Sequence, residues 1–158
     1  MVKILFVCHG NICRSPMAEF IMKELVRERG LGDRFVIASA ATSDEEIWNG
    51  VGNPMYPPAR EELARHKIPF EERHAAQLKK ADYKEWDMFI GMDSQNIRNM
   101  KRIFGSDSDE KISKLMDYTD RPGDVSDPWY SRRFDVAYDD IYEGCIGLLE
   151  HLVYREGK

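Results

Sequence analysis

No apolar run in this chain approaches the roughly 20 residues of a membrane span. The N-terminus lacks the basic, then apolar, then small-residue layout of a secretory signal, so no membrane association and a cytoplasmic location are expected. Cysteine is scarce. Three of them, an odd number, do not make a disulfide framework and fit a reducing compartment. Cys8, Cys13 and Cys145 do not stand at zinc-site spacing with the four histidines, so neither a metal nor another cofactor is expected. Positive charge is short as well. A formal net charge of -5 sets aside nucleic acid as a partner, since such binders need a basic face. No repeat, low-complexity tract or linker interrupts the 158 residues, which suits one domain over residues 1–158.

What is present is an alternation. Short apolar, β-rich runs at 3–7, 35–38, 86–90 and 112–116 read as strands. Helical patterns lie between and after them. One opens with Ser15 as cap and Pro16 at its first position and runs to Gly30. Others cover 59–66, 94–104 with Asp93 as cap, and 134–154. Strands alternating with helices imply an α/β fold of parallel β-α-β units. Two long loops, 42–58 and 117–130, are rich in Gly, Pro and polar residues. Ligands of open α/β sheets bind beyond the carboxyl ends of strands, where such loops lie.

The loop after the first strand carries the most chemistry. Cys8-His9-Gly10-Asn11-Ile12-Cys13-Arg14-Ser15 follows Ile4-Leu5-Phe6-Val7 and leads into a helix. A strand, a short polar loop and a helix start aim backbone N–H groups at an anion. A thiol at a helix N-terminus, ringed by donors and beside a guanidinium, is favoured as thiolate. Gly10 permits a left-handed backbone and Asn11 tolerates one, so the loop can curl around one point. Arg14 can grip two phosphate oxygens with its planar fork. Ser15 either caps the helix or donates to the Cys8 sulfur as that sulfur leaves. Nucleophile, donors and fixed positive charge together are what attack on a phosphate ester needs. Cys-x₅-Arg alone is a weak signal; set between a strand and a Pro-started helix, with Gly10 and Asn11 in place, it is a strong one.

The chain resembles the low-molecular-weight protein tyrosine phosphatase family. The matching residues are Val7 to Glu19, Asp127-Pro128-Trp129-Tyr130, and patches at Ser39-Ala40-Ala41-Thr42, His66-Lys67-Ile68 and Met92 to Asn96. The resemblance implies a three-layer sandwich, a four-stranded parallel sheet with helices on both faces. It also implies metal-free hydrolysis of phosphotyrosine through a cysteinyl-phosphate on Cys8, with residues 9–15 holding the phosphate. Asp127 becomes the general acid and then the base that activates water. Without the family match, the usual job of an Asp before Pro is a loop cap. Trp48, Trp129 and Tyr130 on the two long loops, with Ile12, are expected to line the pocket for a phenyl ring. Ser39 and His66 are implied to hydrogen-bond around Asn11; a helix-terminal cation is the plainer role for His66. Asp93 is a helix cap with a possible contact to the phosphate loop. Lys67 replaces a glycine common after this histidine, Trp129 replaces a tyrosine, and Ser131 replaces a frequent glycine. The two thiols Cys8 and Cys13 are close enough in sequence for a protective disulfide, or Cys13 is simply packed. Cys145 falls on the apolar face of the last helix.

Partners implied by the resemblance are phosphotyrosine proteins and a cognate tyrosine kinase, with the chain a monomer or weak homodimer. Three other functions compete. Arsenate reduction needs further cysteines to pass oxidation outward, and residues 79–100 contain none. Phosphoarginine hydrolysis goes with a small hydroxyl residue where this chain has Ile12. A non-catalytic phosphopeptide-binding module has no need of Cys8, Arg14 and Asp127 together.

Overall fold

The first strand is apolar without interruption because it is covered on both sides. Ile4, Phe6 and Cys8 point into one core and Leu5 and Val7 into another, since strand side chains alternate. The computed structural model describes residues 1–156. Along the chain run β1 (Val2–Cys8), α1 (Arg14–Glu28), β2 (Phe35–Ala41), β3 (Ile47–Trp48), β4 (Val51–Gly52), α2 (Pro57–Arg65) and α3 (Asp82–Glu85). They are followed by β5 (Met88–Gly91), α4 (Ser94–Phe104), β6 (Ile112–Lys114), α5 (Pro128–Ser131) and α6 (Phe134–Glu156). The main sheet has the order β2-β1-β5-β6, and every pair in it is parallel. The larger core joins β1 and β2 to α1, α2 and α6 through residues such as Met17, Ile21, Leu63 and Leu148. The smaller core joins the opposite face to α4 through Phe89, Met100 and Phe104. The three-layer α/β sandwich is therefore the observed fold.

Close approach at one end of the sheet depends on missing side chains. A Cβ on Gly147 of α6 would lie 2.0 Å from the Tyr118 carbonyl oxygen, so only glycine lets the helix seat against the 3₁₀ turn Leu115–Tyr118. That turn replaces the end of the strand expected at 112–116.

Other boundaries differ for local reasons. α1 begins at Arg14, and no side chain caps it, so Ser15 is not its cap. β2 runs on to Ala41, paired residue for residue with β1 as far as Cys8. The expected loop 42–58 folds back as the β3–β4 hairpin around Asn49 (φ 51°) and Gly50 (φ 78°). Both turn residues are left-handed, the requirement of a tight hairpin, and Asn-Gly is its strongest sequence sign.

Candidate active site

The phosphate-loop sequence becomes a cradle because β1 ends in the core at Cys8 and α1 starts six residues later at Arg14. Residues 8–14, Glu45, Glu46, Asp127, Trp129 and Tyr130 enclose a cavity of about 130 Å³ at the carboxyl end of the sheet. The first turn of α1 leaves its N–H groups unspent within the helix. Cys8 is buried, and its sulfur receives the Asn11 N–H at 3.3 Å and lies 3.0 Å from Ser15 Oγ.

Asn11 is the left-handed residue of the loop, with φ 61°; Gly10 keeps a negative-side backbone, so the expected division of labour narrows to Asn11. Such strain lasts only where neighbours hold it. The Asn11 amide donates to Ser15 Oγ at 2.7 Å and Ser39 Oγ at 3.0 Å. Its carbonyl oxygen accepts from Arg73 Nη2 at 2.8 Å and from the Ala76 N–H at 3.1 Å. The Ala76 N–H can only donate, which fixes the amide orientation. Ser15 Oγ therefore accepts from Asn11 and has its own proton free for the Cys8 sulfur. Ser39 Oγ donates to Glu19 Oε1 at 2.6 Å, and Arg73 Nε stands 3.6 Å from that same oxygen. Asn11, Ser39, Glu19 and Arg73 thus close a ring beneath the loop.

Arg14 is buried and held on three sides. Nη1 meets Asp93 Oδ2 and the Val125 carbonyl, both at 2.9 Å, and Nη2 lies 3.6 Å from Asp127 Oδ2. Asp93 serves two elements at once, because its Oδ1 also accepts the Asn96 N–H that caps α4 at 2.8 Å. Asp127 likewise caps the short α5, accepting the Trp129 N–H on Oδ1 at 3.0 Å. One carboxylate oxygen is left facing Arg14 and the cavity.

Residues 3–157 match the family model for low molecular weight phosphotyrosine protein phosphatases. The chain belongs to this family. It is 36% identical over 151 residues to the low molecular weight protein-tyrosine-phosphatase YfkJ of Bacillus subtilis, covering 94% of each chain. It is 33% identical to PtpA of Staphylococcus aureus, with 97% of this chain and 95% of that one covered. The crystal structure of YfkJ superposes with a TM-score of 0.91 over 98% of this chain and 96% of that one, at 35% identity. The protein is thus an enzyme of the protein-tyrosine-phosphatase class.

Within this family member, two site residues expected from the sequence lie elsewhere. Trp48 is 79% exposed on the hairpin and outside the cavity. The Asn49-Gly50 turn closes the loop earlier than an open loop would and presents Glu45 and Glu46 to the cavity instead. His66 does not reach Asn11. Its Nε2 pairs with Glu62 Oε2 at 2.9 Å and its ring stacks on Tyr138 at 3.7 Å, at the end of α2. Lys67, one residue on, takes the left-handed conformation (φ 59°) that a glycine would suit.

The remaining wall residues stand on the cavity. Trp129 packs against Tyr56 at 4.9 Å, and Tyr130 is 83% exposed at the rim. Ile12 is buried in the floor. His9 Nε2 pairs with Glu45 Oε2 at 3.0 Å across the rim. Cys13 is a free thiol pushed well above the ordinary value by burial, then by the charges of Cys8 and Asp127. Cys145 is free, buried, and pushed up by burial alone.

Arg73, Glu45 and Glu46 escaped the sequence reading. The run Asp44-Glu45-Glu46 was a visible charge signal for the rim. Nothing in the coil around Arg73 marks it as a partner of Asn11.

Proposed function

We propose that the chain hydrolyses phosphotyrosine in proteins through a cysteinyl-phosphate on Cys8. The observation that carries this reading is the shared position of Cys8 Sγ, the loop donors and a buried Arg14 that faces Asp127. The phosphate dianion takes the place in the loop where donors converge, with the Arg14 fork on two of its oxygens. Cys8 Sγ attacks phosphorus, the bond from phosphorus to the phenolic oxygen breaks, and Asp127 gives that oxygen its proton. Charge spreads over the equatorial oxygens as the group moves, and the N–H groups at the start of α1 and the Arg14 guanidinium stabilise it there. A water then attacks phosphorus and loses its proton to the Asp127 carboxylate. The sulfur leaves as thiolate, stabilised by the Ser15 proton that Asn11 keeps turned toward it.

The lining supports the phenyl stem: Ile12, Trp129 and Tyr130 give the cavity around Cys8 an apolar and aromatic wall that a phenyl ring can pack against and a short serine stem cannot fill. Arsenate reduction lacks a relay, because Cys145 is buried in the core with its sulfur near the Ala18 carbonyl, 3.8 Å away. The free thiols suit the cytoplasm, where phosphoproteins made by a tyrosine kinase would be the partners.

Two variants test the mechanism. Cys8→Ser should lose turnover of aryl phosphates while still binding phosphate, and a chelator should not affect the parent protein. Asp127→Asn should lower kcat/KM on phenyl phosphate by ~10²–10⁴-fold, and less on esters with better leaving groups. Turnover by Cys8→Ser, chelator sensitivity, or equal kcat/KM on matched phosphotyrosine and phosphoserine peptides would overturn the reading.

A further inference from the structure

Arg132 occupies a backbone conformation that disfavours it. It follows α5 with φ 60° and ψ 11°, the left-handed region where a side chain other than Gly or Asn costs energy. The expected departure at Ser131 is thus one residue early, since Ser131 is helical and Arg132 makes the turn. An observed strain of this kind asks what it secures.

The guanidinium gives the answer. Arg132 Nη2 donates to Tyr56 Oη at 2.8 Å, and Nη1 to the Trp129 carbonyl at 3.3 Å. Its carbon lies 5.4 Å from the Tyr56 ring centre, 5.9 Å from Trp129 and 5.6 Å from Phe134. These are cation–π distances. The Arg132 N–H also donates to the Pro128 carbonyl at 2.9 Å, closing α5. Tyr56 in turn is tied to the other side of the site, because its N–H donates to the Ile12 carbonyl in the phosphate loop at 2.9 Å.

We infer that Arg132 and Tyr56 form a clamp that sets the position of Asp127 over the phosphate loop. The connection runs from the Ile12 carbonyl through Tyr56 to Arg132, and from Arg132 to the backbone of the turn that Asp127 caps. The direct link, Arg14 to Asp127, is an ion pair at 3.6 Å. An incoming phosphate competes for that guanidinium, so the direct link weakens when the acid is needed. The clamp touches neither phosphate nor Arg14, and it holds through the reaction. Arg132 and Tyr56 are positioning residues, and the inference rests on Asp127 being the acid.

The test is a double-mutant cycle read across leaving groups. Arg132→Gly suits the left-handed turn, so its melting temperature should equal or exceed that of the parent. Its kcat/KM on phenyl phosphate should nevertheless fall about tenfold, a fraction of what a general acid supplies. On p-nitrophenyl phosphate, whose leaving group needs less protonation, the fall should be about twofold. Tyr56→Phe removes one hydroxyl and should show the same leaving-group trend, about two- to fivefold on phenyl phosphate. Placed in Asp127→Asn, either change should cost little more, since the acid it positions is gone. A loss equal for both esters, a full loss in the Asp127→Asn background, or no loss at all overturns the clamp. If Asp127→Asn itself shows no dependence on leaving group, the acid assignment fails first and the clamp falls with it.

Discussion

The two sides of the cleft are built differently. On the Cys8 side, Asn11, Arg14 and Ser15 are buried, and every polar atom of the Asn11 side chain is used. On the Asp127 side, Trp129 is 44% and Tyr130 83% exposed, and a four-residue helix carries them. In the proposed mechanism the buried side places the nucleophile and a charge whose geometry must hold to a fraction of an ångström. The exposed side, in that mechanism, places the proton donor and the aromatic wall. Burial purchases precision on one side, and exposure leaves room for adjustment on the other.

The contrast breaks most completely at Arg14. Arg14→Ala leaves Asp93 and Asp127 facing each other without their cation, and the loop loses its fork. Turnover should fall below detection and phosphate affinity should vanish together, in contrast to Cys8→Ser, which keeps affinity. Calorimetric titration with phosphate checks this; retained binding by Arg14→Ala would show that the loop amides suffice.

Arg73→Ala probes the support below the loop rather than the loop itself. It strips two of the contacts that hold Asn11 and leaves Glu19 facing Ser39 and Lys23 alone. Hydrogen bonds to charged groups are worth about 1.5–3 kcal/mol. The expected result is a stability loss of that size with kcat/KM down about tenfold. Thermal unfolding beside kinetics reads both; unchanged kinetics would mean that Asn11 keeps its conformation unaided.

Trp129→Ala acts on the exposed side, so its effect should be smaller and confined to recognition. An aromatic pair is worth about 0.5–1.5 kcal/mol, or roughly two- to tenfold in KM for a phosphotyrosine peptide. Inorganic phosphate affinity should not change. A loss of kcat for p-nitrophenyl phosphate as large as that for the peptide would assign Trp129 to the chemistry.

The weakest expected effect is that of alkaline pH. Burial raises the Cys13 and Cys145 thiols above the ordinary value of 9.0, so the folded chain keeps protons that the unfolded chain releases. Their contribution is complete below that value and is lost as pH rises toward the folded values. Melting temperature should therefore decline from about pH 9 upward. Cys145→Ala should flatten the decline, although it lowers the starting stability through its small cavity.

What the sequence disclosed follows the same division. The phosphate loop was legible because its parts are contiguous, and local geometry dictates their order. Asp127 stood out through Pro128 and the two aromatics after it, but its acid role came only through resemblance, since an Asp before Pro is an ordinary cap, and it caps α5 here as well. Ser39 bonds Asn11 and Asp93 meets Arg14 because they lie where β2 and β5 deliver the chain. Arg73 was illegible: its role depends on a coil whose backbone bonds to the β3–β4 hairpin and β2, and no motif records that path. Trp48 misled because an aromatic on a loop says nothing about which way a hairpin turns it. His66 misled for a similar reason, as its stacking partner Tyr138 lies 72 positions away on α6. The Asn49-Gly50 turn, by contrast, was legible and would have corrected Trp48.

The Arg14–Val125 hydrogen bond joins residues 111 positions apart. Its consequence lies in the order of events during refolding. The helix beginning at Arg14 can form from neighbouring residues in microseconds, whereas pairing across such a separation waits on loop closure and on the parallel sheet. A chain with its helices in place thus still has an arginine without its partners. Recovery of phosphatase activity should trail recovery of helical circular dichroism after dilution from denaturant. On the proposed reading inorganic phosphate binds only the assembled loop, so it should slow the reverse process and raise the melting temperature with the logarithm of its concentration.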